Sequence, residues 1–232
     1  MDTVDISELD AVDHAIGRHL AAAIESIDKD KGSRDFQLFL KRAPMDQIAR
    51  GLSKSPSELA RKVTRKSGMR RIADKELNSF AWPMVYYYRE IGMGTADGQD
   101  TALHHQPEFS WLSPDNLSKY DLTLSEVKLR YRIMIGASSS ADLERLLLAW
   151  HFYLSKHTST VIAYRIQGQE FHLPVVFDTP KQFQADDISV ELDEGRLFAV
   201  ELVHEVLAPV LSGHEVDVPP IPRIELTIGT IA

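Results

Sequence analysis

The chain has 232 residues, of which 44% are hydrophobic and 26% charged, and a formal net charge of −8. That is enough apolar content for one sizeable domain, and the charge excludes a protein that coats nucleic acid with its whole surface, though not a local basic patch. With no cysteine, disulfides, thiolate zinc sites and cysteine nucleophiles are excluded as well.

The N-terminus, Met1-Asp-Thr-Val-Asp5, lacks the basic and apolar regions of a signal peptide. From Asp5 to about Ile27 the residues Leu9, Val12, Ile16, Leu20, Ile24 and Ile27 recur at three and four positions. This spacing predicts an amphipathic helix, with Asp5 and Glu8 as a capping arrangement at its start. A charged loop over 28–35 follows, then a short helix around Phe36, Phe39 and Leu40 capped by Ser33.

Between Lys41 and Glu76, eleven Lys or Arg face four acids, a local charge of +7 that leaves −15 on the remaining residues. Asp46 to Leu52 reads as a short helix, and Ser55-Pro-Ser-Glu58 as the capped start of another reaching about Lys66. A short helix, a turn and a basic helix over 46–66 outline a helix-turn-helix. Arg61, Lys62, Arg65 and Lys66, with Arg70 and Arg71 beyond, would then meet phosphates or a protein partner. A basic helical hairpin packed on the sheet or left solvated explains the same residues without DNA.

Pro83 to Ile91 is strand-like and carries Tyr86, Tyr87 and Tyr88. Their rings alternate between faces, so one side is packed and Tyr86 with Tyr88 can meet a neighbouring subunit, where tyrosine is favoured. Residues 92–118 show no sustained period and predict a long loop tacked down by Phe109, Trp111 and Leu112, with Trp111 also a candidate interface residue. Over 122–135, Val127, Leu129, Tyr131, Ile133 and Ile135 alternate with Lys128, Arg130 and Arg132, the pattern of a half-buried strand.

Gly136-Ala-Ser-Ser-Ser140 caps a helix whose apolar face is Leu143, Leu146, Leu147, Trp150, Tyr153 and Leu154. Strands follow at 160–166 and 171–175, where Pro174 marks an edge or a bulge. Ile188 to Leu192 and Phe198 to Val206 form a hairpin about Asp193-Glu-Gly-Arg196. After Pro219-Pro-Ile-Pro222, a final strand-like tail carries Ile224, Leu226 and Ile228, which can reach a neighbouring subunit.

The order predicts an α+β fold: a mixed, mostly antiparallel sheet packed with one main helix, plus an N-terminal helical appendage. Its parts are a helical region over 1–79, an assembly domain over 80–211 and an extended arm over 212–232.

Catalytic chemistry is sparse. The nine histidines show no metal spacing: His104 and His105 are adjacent, and His14 and His19 are five apart. His204 falls on the inward side of its strand, as a core or interface histidine does. Glu191, Glu194, Glu201 and Glu205 cluster about the hairpin as an acidic face, solvated or docking; paired acids of a hydrolase or a divalent-ion site are the sharper alternative. No nucleophile elbow, phosphate loop or dinucleotide fingerprint occurs, and Gly92, Gly94 and Gly98 precede no capped helix. No metal, cofactor or enzymatic activity is expected, and no apolar run approaches the roughly 18 residues of a membrane span.

Residues 80–211 resemble the tail-completion or terminator proteins of the neck of contractile-tailed bacteriophages. The resemblance is carried by Phe80-Ala-Trp-Pro-Met-Val-Tyr-Tyr-Tyr-Arg-Glu-Ile-Gly92 as opening strand and by Glu126-Val-Lys-Leu-Arg-Tyr-Arg-Ile-Met-Ile135. The helix Asp142-Leu-Glu-Arg-Leu-Leu-Leu-Ala-Trp-His-Phe-Tyr-Leu154 and the stretch Glu191-Leu-Asp-Glu-Gly-Arg-Leu-Phe-Ala-Val-Glu-Leu202 continue it. It implies a non-catalytic homo-oligomer, usually a six-fold ring, at the head–tail junction of the virion. Such a ring stops tube or sheath polymerisation and joins the tail to the head connector. The basic segment 41–76 departs from that layout, and contacts with sheath, connector or packaged DNA are its candidate roles.

Overall fold

The structure is a computed structural model that describes residues 4–6, 9–51, 82–92, 94–95, 108–112, 119–166, 169–177, 185–192 and 195–216. Two long strands dominate it: β6 (Lys119–Ala137) and β11 (Gly195–Val216), antiparallel along all 19 residues of β6. The alternation over 122–135 accounts for the larger part of this pairing. Leu129, Tyr131, Ile133 and Ile135 are buried, and they face Val206, His204, Leu202 and Val200 across the ladder.

Around this ribbon the sheet runs β2 (Ile48–Arg50), β3 (Met84–Arg89), β6, β11, β8 (Gln169–Phe177), β7 (Ser159–Ile166). Five shorter strands add to its flanks: β1 (Val4–Ile6), β9 (Ala185–Asp187) and β10 (Val190–Leu192) on β11, β4 (Gly94–Thr95) and β5 (Glu108–Leu112) on β6. All described pairings are antiparallel except β2 with β3. The fold is thus α+β with a curled, mostly antiparallel sheet. Pro174 sits in β8 opposite Val161, beyond the Val176 and Phe177 positions where β8 joins β11, so no ladder bond is lost to it on that side.

The helices cover one face. In α1 (Asp10–Glu25), Val12, Ala15, Ile16, Leu20, Ala23 and Ile24 are buried; in α4 (Ser140–Lys156), Leu143, Leu146, Trp150 and Leu154 are. Both stripes belong to one hydrophobic core with the inward residues of β6 and β11, as do Phe36, Phe39 and Leu40 of α2 (Arg34–Leu40). The N-terminal helices therefore share the core of the sheet. Ser33 and Ser139 cap α2 and α4, each hydroxyl accepting from the backbone N–H three residues on.

The inward set of the ribbon changes parity along its length. Leu129 to Ala137 use odd positions of β6, whereas Leu122 is the buried residue at its far end; β11 switches likewise from Ala208 to Leu211. A strongly twisted two-stranded ribbon turns its opposite face inward in this way.

Three local expectations are corrected. Asp5 does not begin a helix: Val4–Ile6 pair with Ser212–His214 of β11, and α1 starts at Asp10 with no side-chain cap. Residues 46–52 are not a helix: α3 (Pro44–Gln47) is a single turn, and Ile48–Arg50 form the parallel edge strand on β3. A free sheet edge offers β-branched Ile48 more than an isolated turn of helix does. The stretch 92–118 is not wholly loop, because β4 and β5 within it pair with β6.

Candidate interaction surface

The face of the sheet away from the helices is divided in two. At one end Trp82, Met84, Tyr86, Met134 and Leu197 form a second apolar cluster. Gly136 makes it possible, since a Cβ there would lie 2.4 Å from the Trp82 ring. Tyr86 is buried in this cluster, so it packs within the protomer and presents no ring to a neighbour; Tyr88 is half-buried beside it, ring centroids 6.2 Å apart. Tyr87 points the opposite way and donates to the Asp13 carbonyl at 3.0 Å.

The rest of that face is a charge ladder. Arg132 bonds Glu90 through Nε and Glu201 through Nη1 (2.8 Å), and Lys128 lies 2.6 Å from Glu205. Hydrogen bonds to Glu90, and then to Glu201, raise the Arg132 pKa further above its ordinary range. Glu201 and Glu205, expected as an acidic face, are each matched by a cation of β6. Cross-strand placement does this: alternate β6 residues share the face with alternate β11 residues. Glu191 is exposed on β10, with Asp186 and Asp187 exposed nearby.

Buried polar groups are structural in arrangement. Asp13 of α1 accepts from the Tyr131 hydroxyl and from Arg50, while Arg89 Nε stands 3.1 Å from Oδ1 but out of line for a hydrogen bond. Arg50 also reaches Asp10 at 2.7 Å, and its hydrogen bond lowers the Asp10 pKa. One carboxylate thus ties α1 to β2, β3 and β6. Burial, with the Asp13 bond adding to it, pushes the Tyr131 phenol well up, so it remains a neutral donor. On the other side of the core, His204 accepts from Trp150 Nε1 at 3.0 Å, and His19 bonds the His157 carbonyl at 2.9 Å while stacking on Phe177. Burial lowers both imidazoles to about 4. His204 is the core histidine its strand position predicts. Sequence reasoning missed Asp13 and His19, whose only signal was a polar residue within the apolar stripe of α1.

The exposed side of α4 carries apolar side chains that the interior does not explain. Leu148 and Phe152, one turn apart, are 53% and 59% exposed on a helix whose opposite face is anchored in the core. Two hollows flank Leu148. One, of about 430 Å³, lies against Ala185 of β9; the other, of about 520 Å³, lies against Ile27 and the turn after α1.

Other expected site residues are placed less fully. Trp111 stands in β5 opposite Tyr120. Glu194, the basic residues Arg61, Lys62, Arg65, Lys66, Arg70 and Arg71, and Ile224, Leu226 and Ile228 lie outside the described residues. Of the helix-turn-helix outline, the first helix is replaced by α3 and β2, and residues 52–66 lie outside the described residues. Among the described residues no group of three or more His, Asp or Glu is placed to hold a metal, and no helix is long and apolar enough to cross a membrane.

No protein-family model matches the chain, and no curated protein matches it.

Proposed function

We propose that the chain is a non-enzymatic assembly subunit of a bacteriophage neck, forming a homo-oligomeric ring that terminates the tail tube or sheath and joins it to the head connector. The exposed apolar face of α4 carries the assembly part of this reading: Leu148 and Phe152 are accessible although the helix is anchored on its other side. Desolvating such a face rewards association with a protein surface and gives a soluble small substrate little to orient it. The place in the neck rests on the resemblance of residues 80–211. A closed ring also suits the sheet, whose path among the described residues ends at β2 and β7, edge strands for heterologous contacts that rotation can close.

Size-exclusion chromatography with light scattering, followed by negative-stain imaging, tests the reading. It predicts a discrete oligomer with a central opening that binds purified tail tube or sheath. A strict monomer that binds neither would refute it.

A further inference from the structure

The larger hollow beside α4 has a definite chemistry. Its walls include Ile27, Leu148, Phe152 and Tyr153, and Lys31, Arg145 and Lys156 stand among its lining residues. Arg145 is neutralised by Asp142 at 2.9 Å and Lys31 lies 3.7 Å from Asp28, whereas Lys156, in the last turn of α4, has no ion pair among the described residues. An apolar groove whose rim carries Lys31, Arg145 and Lys156 beside Asp28 fits an apolar segment that brings a carboxylate toward Lys156.

The chain contains one such segment beyond the end of β11. After Val216 the sequence continues Asp217-Val-Pro-Pro-Ile-Pro-Arg-Ile-Glu-Leu-Thr-Ile228, with Ile224, Leu226 and Ile228 at alternate positions, acids at 217 and 225 and Arg223 between them. In an extended backbone the three apolar residues fall on one side, which lets them enter a groove together while Glu225 stays at its rim.

We propose that residues 224–228 of one copy dock in the α4 groove of a neighbouring copy. This rests on the ring reading above and assigns it the two surfaces in contact. Reach and direction favour a neighbour as donor. Ile224 lies eight residues beyond Val216, about 26 Å at full extension. β1 runs antiparallel to β11 and leads into α1, and the groove lies at the far end of α1, about 24 Å of helix away. Returning to its own groove would require the segment to reverse, whereas a sequence with prolines at 219, 220 and 222 favours a semi-rigid polyproline-like course. A contact between a tail and a different surface is heterologous, the kind that closes into a ring.

The absence of cysteine makes the test clean. Two differently tagged full-length chains are co-expressed, one with Leu148→Cys and one with Leu226→Cys, then oxidised, with light scattering of the unsubstituted protein alongside. A disulfide joining the two tags is expected, and it is lost when Leu148→Cys is replaced by Leu38→Cys, a comparably exposed leucine on α2. Removing residues 217–232 shifts the oligomer toward the mass of a single chain. Oligomers that form no mixed-tag disulfide overturn the docking and leave the ring reading standing. An intrachain disulfide in a chain carrying both substitutions, without mixed-tag product, overturns the neighbour as donor. A monomeric unsubstituted protein overturns the ring reading and, with it, exchange between copies.

Discussion

Asp13 ties together more elements than any other buried polar residue among those described. Its carboxylate holds the Tyr131 hydroxyl and Arg50 and lies beside Arg89, so one side chain joins a helix to three strands. Asp13→Ala should cost about 3 kcal/mol, the low end for breaking a buried pair because both arginines keep partial access to water. A urea melt of the variant that matches the unsubstituted protein would show the network to be incidental. The buried imidazoles set a pH dependence. His19 and His204 have native pKa values of about 4 against an ordinary 6.5, so the unfolded state binds more protons between those values. Their contribution is complete above about pH 6.5 and is lost as pH falls toward 4, on the order of a few kcal/mol per histidine. Urea midpoints at pH 7 and 4.5 measure this, and His204→Gln should flatten the difference relative to the unsubstituted protein. An equal pH slope in both would contradict the assignment. His204 was legible from strand alternation alone. Asp13 was not, because its partners come from residues 37 to 118 positions away in sequence.

At the scale of elements, local chemistry was most legible where a helix is self-sufficient. The caps Ser33 and Ser139 and the apolar stripe of α4 follow from spacing, since each bond spans three or four residues. Ser139→Ala should therefore cost about 1 kcal/mol, read as a lower urea midpoint with an unchanged slope. Short strands were less legible. β1, β2, β4 and β5 have little pattern of their own and exist because β11, β3 or β6 offers an open edge. Gly136 is an element-scale constraint of another kind, since strand β6 must pass directly beneath Trp82. Gly136→Ala should destabilise by about 1–3 kcal/mol through overpacking, and an unchanged thermal midpoint would argue against the close contact. On the outer side of α4, Leu148→Glu with Phe152→Glu should leave unfolding within about 0.5 kcal/mol, because neither residue anchors the core. The same pair should abolish oligomers in light scattering if that face is the assembly surface.

The described residues build a twisted ribbon, β6 with β11, packed under α1, α2 and α4 on one side and bearing a balanced charge ladder on the other. Its balance was hidden in a linear reading. Glu201 and Glu205 look like an acidic cluster along β11, but the antiparallel register brings Arg132 and Lys128 to the same face. The fold class, the inward face of the long strands, the main helix and the caps Ser33 and Ser139 could be read from the residues alone. These depend on periodicity and on bonds between close neighbours in the chain. Which short segments become strands, where Asp13 and His19 find partners, and which apolar side chains of α4 remain outside were settled by the packing of the folded chain. Those outcomes depend on edges, cavities and charges contributed by distant segments, and no local spacing encodes them.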